Sequence, residues 1–248
     1  MVERCADCGF DLAGGRVEVI PTAHYMMGGV VFAPDCTTEL AGLYAAGEDT
    51  GGVHGANRLG GNGVANSTVF GGLAGDAIGR RIRRTEVLPD VDRAALETAQ
   101  VRALGPLGRR GGDLTSIRRM LYDLMWDDVG ILRSPDGLAR GRDELDKLAT
   151  EIAQAGTIDA EPRYNLTWMD RLNLENLILV SRAICAAALA RTDSRGAHFR
   201  EDHPRAGVLA ESRYTITRLH DNEIAVDSAP LHFTRVEPGH SLLARAAE

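Results

Sequence analysis

The distribution of apolar and polar residues divides the chain into two differently built regions. Up to about residue 84, short apolar runs alternate with glycine, a pattern typical of strands that end in turns. Residues 16–21, "RVEVIP", alternate polar and apolar positions and predict a half-exposed strand. Residues 42–48, "GLYAAGE", predict a buried strand that ends at an acidic residue. The first region is therefore expected to be an α/β domain.

A helix is predicted to follow these strands, from about residue 63 to residue 78. Val69, Leu73 and Ala77 recur at helical spacing and should share one face of it. Arg80 and Arg81 should follow its end, where positive charge suits the negative pole of the helix dipole.

The region from residue 113 to residue 195 predicts three long helices. Apolar residues at helical spacing are Leu114, Ile117, Leu121 and Leu124 in the first helix, and Leu138, Leu145, Leu148 and Ile152 in the second. The third helix, over residues 169–190, is apolar on most of its circumference and is expected in the middle. Together these patterns predict an all-α bundle of three helices.

A short β tail is predicted after the bundle. Residues 214–219 and 231–236 have strand-like composition, and the turn "HDNE" follows the first of them, which suggests a hairpin-like end. The predicted fold class is thus α/β plus all-α. The predicted domains are residues 1–105 and residues 106–248, the second containing the bundle and the tail.

Composition and charge narrow the class of protein. The chain has 248 residues, a net charge of −7 and 44% hydrophobic residues, which suits a globular protein with a substantial core. The net negative charge argues against nucleic acid as the main partner. No apolar run is expected to be long enough to span a bilayer, and the first ten residues lack the apolar segment of a secretory signal. A cytoplasmic location is the resulting expectation.

The four cysteines do not form the pattern of a disulfide framework. Cys5, Cys8, Cys36 and Cys185 stand in a chain of 248 residues without an export signal, so reduced thiols are expected. Cys5 and Cys8 form a C-x-x-C, which is compatible with half of a zinc site, with a redox pair, or simply with a short N-terminal helix. No second C-x-x-C or paired histidines complete a metal site, and none is predicted.

Glu48 and the glycine-rich stretch after it are candidates for ligand binding. A carboxylate at the end of a strand can accept hydrogen bonds from a sugar-like diol, or it can cap a turn. In "NRLGGNGVANSTVF" the glycines permit close backbone approach, and the following helix directs its free N–H groups at whatever lies before Gly63 and Val64. An anion or an electron-rich ring would fit there.

Arg58 and His24 are the candidates for holding an acidic substrate. The guanidinium of Arg58 can hold a carboxylate through two parallel hydrogen bonds, a geometry that lysine does not reproduce. A structural ion pair is the alternative for Arg58, and an ordinary core or turn histidine is the alternative for His24.

Three motifs together resemble one known family. "PTAHYMMGG", "GLYAAGE" and "HGANRLGGN", in this order and at this spacing, resemble the flavoprotein subunits of succinate dehydrogenase and fumarate reductase and their relative L-aspartate oxidase. The similarity continues through the helical region into "DSRGAHFREDHP" and covers nearly the whole chain.

The resemblance implies a cofactor, a reaction and roles for the candidate residues. In this family FAD lies across a dinucleotide-type fold and a dicarboxylate is held over the flavin ring. It implies that His24 and Arg58 bind the carboxylates of the substrate and that Glu48 bonds the sugar chain of FAD. The backbone of Gly63 and Val64 would meet the flavin ring. The implied reaction interconverts a dicarboxylate and its unsaturated form by oxidation or reduction of a CH–CH group.

The resemblance also implies partners and a location. An iron–sulfur subunit is expected, together with membrane-anchor subunits that would hold the protein at the inner face of the cell membrane. The region before residue 106 would be the C-terminal portion of an FAD-binding domain, and the remainder the helical C-terminal domain of the family.

Two departures from the family pattern leave alternatives open. Gly63 and Val64 stand where the family commonly has serine and leucine, so backbone contacts survive but a serine hydroxyl contact does not. The dinucleotide fingerprint and the capping domain with its proton-shuttling arginine are not found, so no catalytic residue is assigned. The chain resembles the C-terminal part of a longer flavoprotein and is expected to be inactive without an N-terminal part. The alternatives are an amino-acid oxidase of the L-aspartate type and a non-catalytic docking module.

Overall fold

A computed structural model describes residues 2–18, 24–84, 90–238 and 240. The chain divides into two compact units, Met1–Arg84 and Thr85–Glu248. The first unit contains helices α1 and α2, and the second contains α3 to α6 and four short strands. Their bounds are α1 Val2–Asp7, α2 Asn62–Arg84, α3 Arg93–Leu104, α4 Leu114–Asp127, β1 Leu132–Arg133, α5 Pro135–Gln154, α6 Leu166–Ala190, β2 Phe199–Arg200, β3 Arg213–His220 and β4 Glu223–Pro230. The domain boundary expected after residue 105 remains a prediction, whereas the division into compact units follows α2.

The first unit is built mainly from loops that touch through single bridges. Val30 and Thr50 form a parallel bridge, and Thr37 and Tyr44 an antiparallel one. The buried strand predicted over residues 42–48 is wrong, because Gly42 and Gly47 have φ angles of +91° and +87° that interrupt an extended backbone. Of the strand predicted over residues 16–21, residues 16–18 are not in a strand and residues 19–21 lie outside the described residues.

Helix α2 is longer than the sequence pattern predicts. It begins at Asn62 and runs to Arg84, so that Arg80 and Arg81 lie within the helix and not after it. The predicted end at residue 78 is therefore wrong. Arg81, Arg83 and Arg84 occupy the last turn, where they offset the negative end of the helix dipole.

The buried face of α2 carries small residues and one amide. Asn66, Ala74 and Ala77 are buried, whereas Val69 and Leu73 are 57% and 41% exposed. The small side chains let α2 lie close to the loops of its own unit. There the thiol of Cys36 donates to the Phe70 carbonyl oxygen at 3.3 Å.

The second unit has a continuous apolar core between α4, α5 and α6. Polar side chains cap the helices: Asp113 accepts from two backbone N–H groups of α4, Ser134 from one of α5 and Asn165 from one of α6. The core residues are Ile117, Leu121, Val129, Leu138, Leu145, Leu148, Ile152, Ala155, Leu174, Ile178, Cys185 and Ala188. Most of the apolar positions predicted for the first two helices are among them.

Helix α3 has no counterpart in the sequence predictions. It carries almost no apolar periodicity, and none of its residues is buried. Its contacts with α6 are polar, because Arg102 donates to Glu175 at 2.8 Å and the indole N–H of Trp168 donates to the Ala103 carbonyl oxygen at 2.7 Å.

Two buried arginines close the carboxyl ends of the core helices. Arg171 is 4% exposed and donates to the carbonyl oxygens of Ile152 and Ala155 at the end of α5. Arg200, also 4% exposed, donates to the carbonyl oxygens of Ala188 and Leu189 at the end of α6. Each guanidinium supplies hydrogen bonds to carbonyl groups that have no partner within the helix.

The strands of the second unit form two small sheets. β1 and β2 pair in parallel through two residues each, and β3 and β4 form an antiparallel hairpin. Asp221 and Asn222 make its two-residue turn with φ angles of +48° and +65°. The first predicted strand of the hairpin is present, but its partner is Glu223–Pro230 and not residues 231–236, because the turn is tight enough for pairing to start at residue 223.

A half-buried histidine next to β2 contacts an arginine of β1. Arg133 donates from Nη1 to Nδ1 of His198 at 2.6 Å, and Nδ1 must accept because a guanidinium carries only donors. Burial, aided by the positive charge of Arg133, lowers the pKa of His198 to about 4. This ring is therefore neutral at pH 7.

Helix α6 is long and apolar enough to cross a membrane by length and composition. The expectation that the chain has no such stretch is therefore wrong. Length and composition alone are weak criteria because the central helix of a folded core meets them too. Leu174, Ile178 and Cys185 of α6 are buried against α4 and α5.

All four cysteines are free in the structure. Cys5 lies in α1 and Cys8 directly after it, while Cys36 and Cys185 are buried. Burial raises the pKa of the Cys36 thiol, and it raises that of Cys185 to about 11. Within the described part of the chain, no group of three or more metal-ligating side chains comes together.

Candidate functional site

Tyr25 is the centre of a polar cluster in the first unit. Its hydroxyl lies 3.2 Å from Nε2 of His54 and accepts from the side-chain amide of Asn66 at 3.3 Å. The guanidinium carbon of Arg58 lies 4.7 Å from the centroid of the Tyr25 ring, in cation–π geometry. Three segments that are distant in sequence therefore meet at one aromatic ring.

Asn66 fixes this cluster to helix α2. It is 4% exposed, and its Nδ2 also donates to the Gly47 carbonyl oxygen at 3.1 Å and lies 3.2 Å from Nε2 of His54. The ring of His54 meets that of Tyr25 edge to face, with 5.2 Å between the centroids. The cluster thus joins the loop before Met26, the loop after Gly47 and the first turns of α2.

Glu48 is held beside the same loop. Its Oε1 accepts a hydrogen bond from the backbone N–H of Met26 at 2.9 Å. Thr50, which is 1% exposed, donates to the Gly47 carbonyl oxygen at 2.7 Å and tightens the turn that carries Glu48. One carboxylate oxygen is thereby fixed, while the side chain as a whole remains exposed.

The first turn of α2 lies against the Tyr25 ring. A Cβ atom added at Gly63 would lie 2.7 Å from Cε2 of Tyr25, so that only glycine fits this contact without a shift. Val64 is 77% exposed, and the first turn carries no acidic side chain. The first N–H groups of a helix have no partner within it, so this turn offers donors and positive potential to a ligand.

The structure brings together four of the five predicted site residues. Arg58 lies on the Tyr25 ring, Gly63 touches the same ring, Val64 follows Gly63 in the first turn of α2, and Glu48 bonds the residue after Tyr25. His24 adjoins Tyr25 in sequence and is exposed. Among residues 24–84, no hydrogen bond or ion pair fixes its ring.

Two buried polar atoms of the cluster have no hydrogen-bond partner within the described residues. They are Nε of Arg58, a donor, and Oδ1 of Asn66, an acceptor. Unsatisfied buried polar atoms are rare in folded proteins because each costs free energy. Arg58 itself is only partly buried and donates from Nη1 to the Leu59 carbonyl oxygen at 3.2 Å. Its remaining donors suit a carboxylate.

Tyr25, His54 and Asn66 belong to the cluster but are not among the residues predicted from the sequence. Tyr25 and His54 lie inside two of the three quoted motifs, so their positions carry a signal. The sequence signal for Asn66 is weaker. An amide in the middle of an apolar helical face is uncommon unless its hydrogen bonds are satisfied.

Comparison with known proteins identifies the class and then the family. Residues 13–64 match the model of an FAD-binding domain, so the class is that of the FAD-binding flavoproteins. Residues 118–242, half of the chain, match the C-terminal model of the fumarate reductase flavoprotein. The chain belongs to the fumarate reductase flavoprotein family, as its resemblance implied.

Individual relatives agree with this assignment. An uncharacterized FAD-dependent oxidoreductase of Methanocaldococcus jannaschii is 35% identical over 82% of this chain and 36% of its own length. A subunit of the CoM/CoB fumarate reductase of Methanothermobacter marburgensis is 36% identical over 82% of this chain and 37% of its own length. A solved quinol–fumarate reductase with menaquinol molecules superposes with a TM-score of 0.84 at 30% identity, covering 96% of this chain and 42% of that one. The chain thus spans about two fifths of the length of its relatives.

These matches indicate FAD as the cofactor, and the residues at the site fit its ring end. The α2 turn offers backbone donors without a competing carboxylate. Glu48 has an exposed carboxylate fixed at one oxygen, which suits hydroxyl groups. FAD-dependent oxidoreductase chemistry is that of the family to which the chain belongs.

Proposed function

We propose that this chain supplies the flavin-ring contacts and the carboxylate-binding residues of a fumarate reductase or succinate dehydrogenase-type flavoprotein. The observation that carries the proposal is the convergence of Arg58, Glu48 and the first turn of α2 on the segment Tyr25–Met26, where Arg58 and Gly63 contact the Tyr25 ring and Glu48 bonds the Met26 N–H. A cation, a hydroxyl acceptor and a helix N-terminus within one cluster match the needs of a dicarboxylate above a flavin.

The proposed cofactor contacts come from Glu48, Gly63 and Val64. Glu48 accepts hydrogen bonds from hydroxyl groups of the FAD sugar chain, and the backbone of Gly63 and Val64 meets the flavin ring. The flavin, when bound, supplies hydride transfer. The positive end of α2 stabilises negative charge on the ring side that it faces.

The proposed substrate contacts come from His24 and Arg58. Arg58 holds one carboxylate through paired hydrogen bonds, and His24 contacts another at the exposed side of the cluster. The proposed reaction interconverts a dicarboxylate and its unsaturated form. No catalytic residue is assigned within the described part of the chain, so the proton donor is sought elsewhere in the flavoprotein.

The two structural units suggest a finer description of the fold. We infer that residues 1–105 are the C-terminal portion of an FAD-binding domain. In this description α4, α5 and α6 form a three-helix bundle and the β3–β4 hairpin a short β tail, together making the helical C-terminal domain of the family.

Partners and location follow from the same proposal. One solved relative is a quinol–fumarate reductase with menaquinol molecules. We infer that this chain works with an N-terminal half of the same flavoprotein, with membrane-anchor subunits and with an iron–sulfur subunit. Those partners would place it in the cytoplasm at the inner face of the membrane. The matches favour neither the L-aspartate oxidase alternative nor a non-catalytic docking module.

Substitution of Arg58 by lysine tests the proposed function. In the FAD-loaded flavoprotein that contains this chain, Arg58→Lys keeps the charge but loses paired hydrogen bonding. We expect kcat/KM for fumarate or succinate to fall by roughly 100-fold or more while the ratio of flavin to protein stays constant. Arg83→Lys, an exposed change in the last turn of α2, is the matched control. Loss of flavin with normal activity per remaining flavin would assign Arg58 to the cofactor and refute the proposal.

A further inference from the structure

We propose that Tyr25 is a positioning residue for Arg58, and that His54 and Asn66 fix the Tyr25 ring for this purpose. The inference deepens the proposed function, since it rests on Arg58 as the carboxylate-binding residue. It follows from the contacts around the Tyr25 ring and from the lack of a salt bridge to Arg58 among the described residues.

Among the residues that the structure describes, no acidic side chain holds Arg58. Within residues 24–84 the guanidinium makes no salt bridge, and its one hydrogen bond goes to the carbonyl oxygen of the next residue, Leu59. A contact with the neighbouring residue restrains the end of a long side chain only weakly, because it leaves most rotatable bonds free. The Tyr25 ring, 4.7 Å from the guanidinium carbon, is the platform that fixes the position of the cation.

An aromatic platform suits a substrate-binding arginine better than a carboxylate would. A carboxylate partner would occupy the N–H donors that an acidic ligand needs, whereas a ring face attracts the cation and leaves its edges available. The buried Nε of Arg58 has no partner within the described part of the chain. Stacking on Tyr25 therefore restrains the side chain while its donors stay available for a carboxylate.

The Tyr25 ring is itself fixed from two sides. Asn66 donates to its hydroxyl from a buried position in α2, and the hydroxyl can donate in turn to Nε2 of His54 at 3.2 Å. The edge-to-face contact with His54 and the close approach of Gly63 limit rotation of the ring. A hydroxyl that both accepts and donates has a defined direction, so that the ring face towards Arg58 is defined as well.

Two substitutions at Tyr25 separate the ring from the hydroxyl. Tyr25→Leu removes the platform, whereas Tyr25→Phe keeps the ring and loses only the bonds to His54 and Asn66. The first readout uses this chain alone: the order parameter of the Arg58 Nε–H group from nitrogen-15 relaxation. We expect it to drop below about 0.6 in Tyr25→Leu and to take a value between those of Tyr25→Leu and the wild type in Tyr25→Phe, which keeps the ring but not the bonds that orient it. Nε–H of exposed Arg83 is the internal control.

The second readout is kinetic and uses the FAD-loaded flavoprotein that contains this chain. We expect Tyr25→Leu to raise KM for the dicarboxylate by about 10-fold with a smaller change in kcat, since the loss lies in holding the carboxylate. Tyr25→Phe should raise KM by a smaller factor, because the ring remains but the hydrogen bonds that orient it are lost. A merely structural role would instead lower the amount of active enzyme without altering KM.

The outcomes distinguish this inference from the proposed function. Unchanged Arg58 mobility in a folded Tyr25→Leu chain, or an unchanged KM, would overturn the positioning role alone. A wild-type flavoprotein that turns over no dicarboxylate would overturn the proposed function. The relaxation measurement would then still decide whether Tyr25 restrains Arg58. If Tyr25→Leu does not fold, an Arg58 order parameter and a KM in Tyr25→Phe that both equal the wild-type values would overturn the inference.

Discussion

The two units of this chain are stabilised in different ways. Among the described residues, the first unit buries only Cys36, Ala74 and Ala77 as apolar side chains, whereas the core of the second contains twelve residues from α4 to α6 and their connections. The first unit relies on glycine turns, single bridges and side-chain hydrogen bonds. The candidate site lies entirely in this less densely packed unit. The candidate ligand-binding residues therefore do not lie where the fold buries most apolar surface.

Hydrogen exchange should show the largest difference between the units. Amides in the interior of α5 and α6 should exchange at least about 100-fold more slowly than those of residues 25–61, because few buried contacts oppose local opening of the loops. Exchange read by mass spectrometry on this chain measures the ratio. Equal protection of both regions would contradict the comparison and show that the polar contacts of the first unit are as cooperative as the helical core.

Truncation of one core leucine should have the next largest effect. Leu145 is fully buried between the helices, and Leu145→Ala should lower the free energy of unfolding by about 2–5 kcal/mol. Urea unfolding followed by helical circular dichroism measures the change. Leu59→Ala in the first unit is the control, since Leu59 is 75% exposed and its truncation should cost less than about 0.5 kcal/mol. Similar losses for both variants would mean that the stability difference has another origin.

Acid should destabilise the second unit through His198. Because the folded-state pKa is lowered from 6.5 to about 4, the unfolded chain binds the proton more readily. The stability contributed by the neutral ring is fully present above about pH 6.5 and is lost as the pH falls towards 4.

A substitution isolates this contribution of His198. His198→Asn can still accept from Arg133 but does not titrate, so the thermal midpoint measured between pH 6.5 and 4 should fall less than in the wild type. His220→Asn, on an 80% exposed side chain at the end of β3, should keep the wild-type slope. If the thermal midpoint of His198→Asn falls with pH as steeply as that of the wild type, other groups cause the acid sensitivity.

Substitutions of turn residues should change the stability least, and the sign of the change should differ between the two units. Asn222 in the β3–β4 turn has a φ of +65°, so Asn222→Gly should stabilise the hairpin by roughly 0.5 kcal/mol. Gly47 in the first unit has a φ of +87°, and a Cβ there would lie 3.2 Å from Oγ of Ser67. Gly47→Ala should therefore destabilise. Thermal unfolding of both variants tests the signs, and a stabilised Gly47→Ala would show that the loop is not strained.

The sequence predictions succeed where an element depends on interactions between residues that are close in sequence. Helices α4, α5 and α6 depend on local caps and on apolar spacing within one segment, and both signals are visible in the sequence. The strand expected at residues 42–48 failed because a strand needs a partner, and its glycines adopt turn conformations instead. The longer end of α2 was missed since its arginines are compatible with the interior of a helix as well as with its end.

The site was predicted residue by residue but not as an arrangement. The motifs around Arg58 and Glu48 are short and could be recognised individually. The contact between Tyr25 and Asn66 joins positions 41 residues apart, and no local pattern specifies that pairing. Likewise, the close contact between Gly63 and the Tyr25 ring arises only in the folded chain.

The Thr37–Tyr44 bridge has a practical consequence for protein engineering. Beyond it the chain makes a small turn over residues 38–43, closed by a hydrogen bond from the Thr38 N–H to the Leu43 carbonyl oxygen at 3.2 Å. The Thr37–Tyr44 bridge and the Val30–Thr50 bridge hold both ends of the segment that contains this turn. Extra residues at the tip of the turn would therefore lengthen a loop that is already closed. The tip of the turn is thus a suitable place for a short insertion tag or a fluorescent reporter that leaves Arg58 and Glu48 in place.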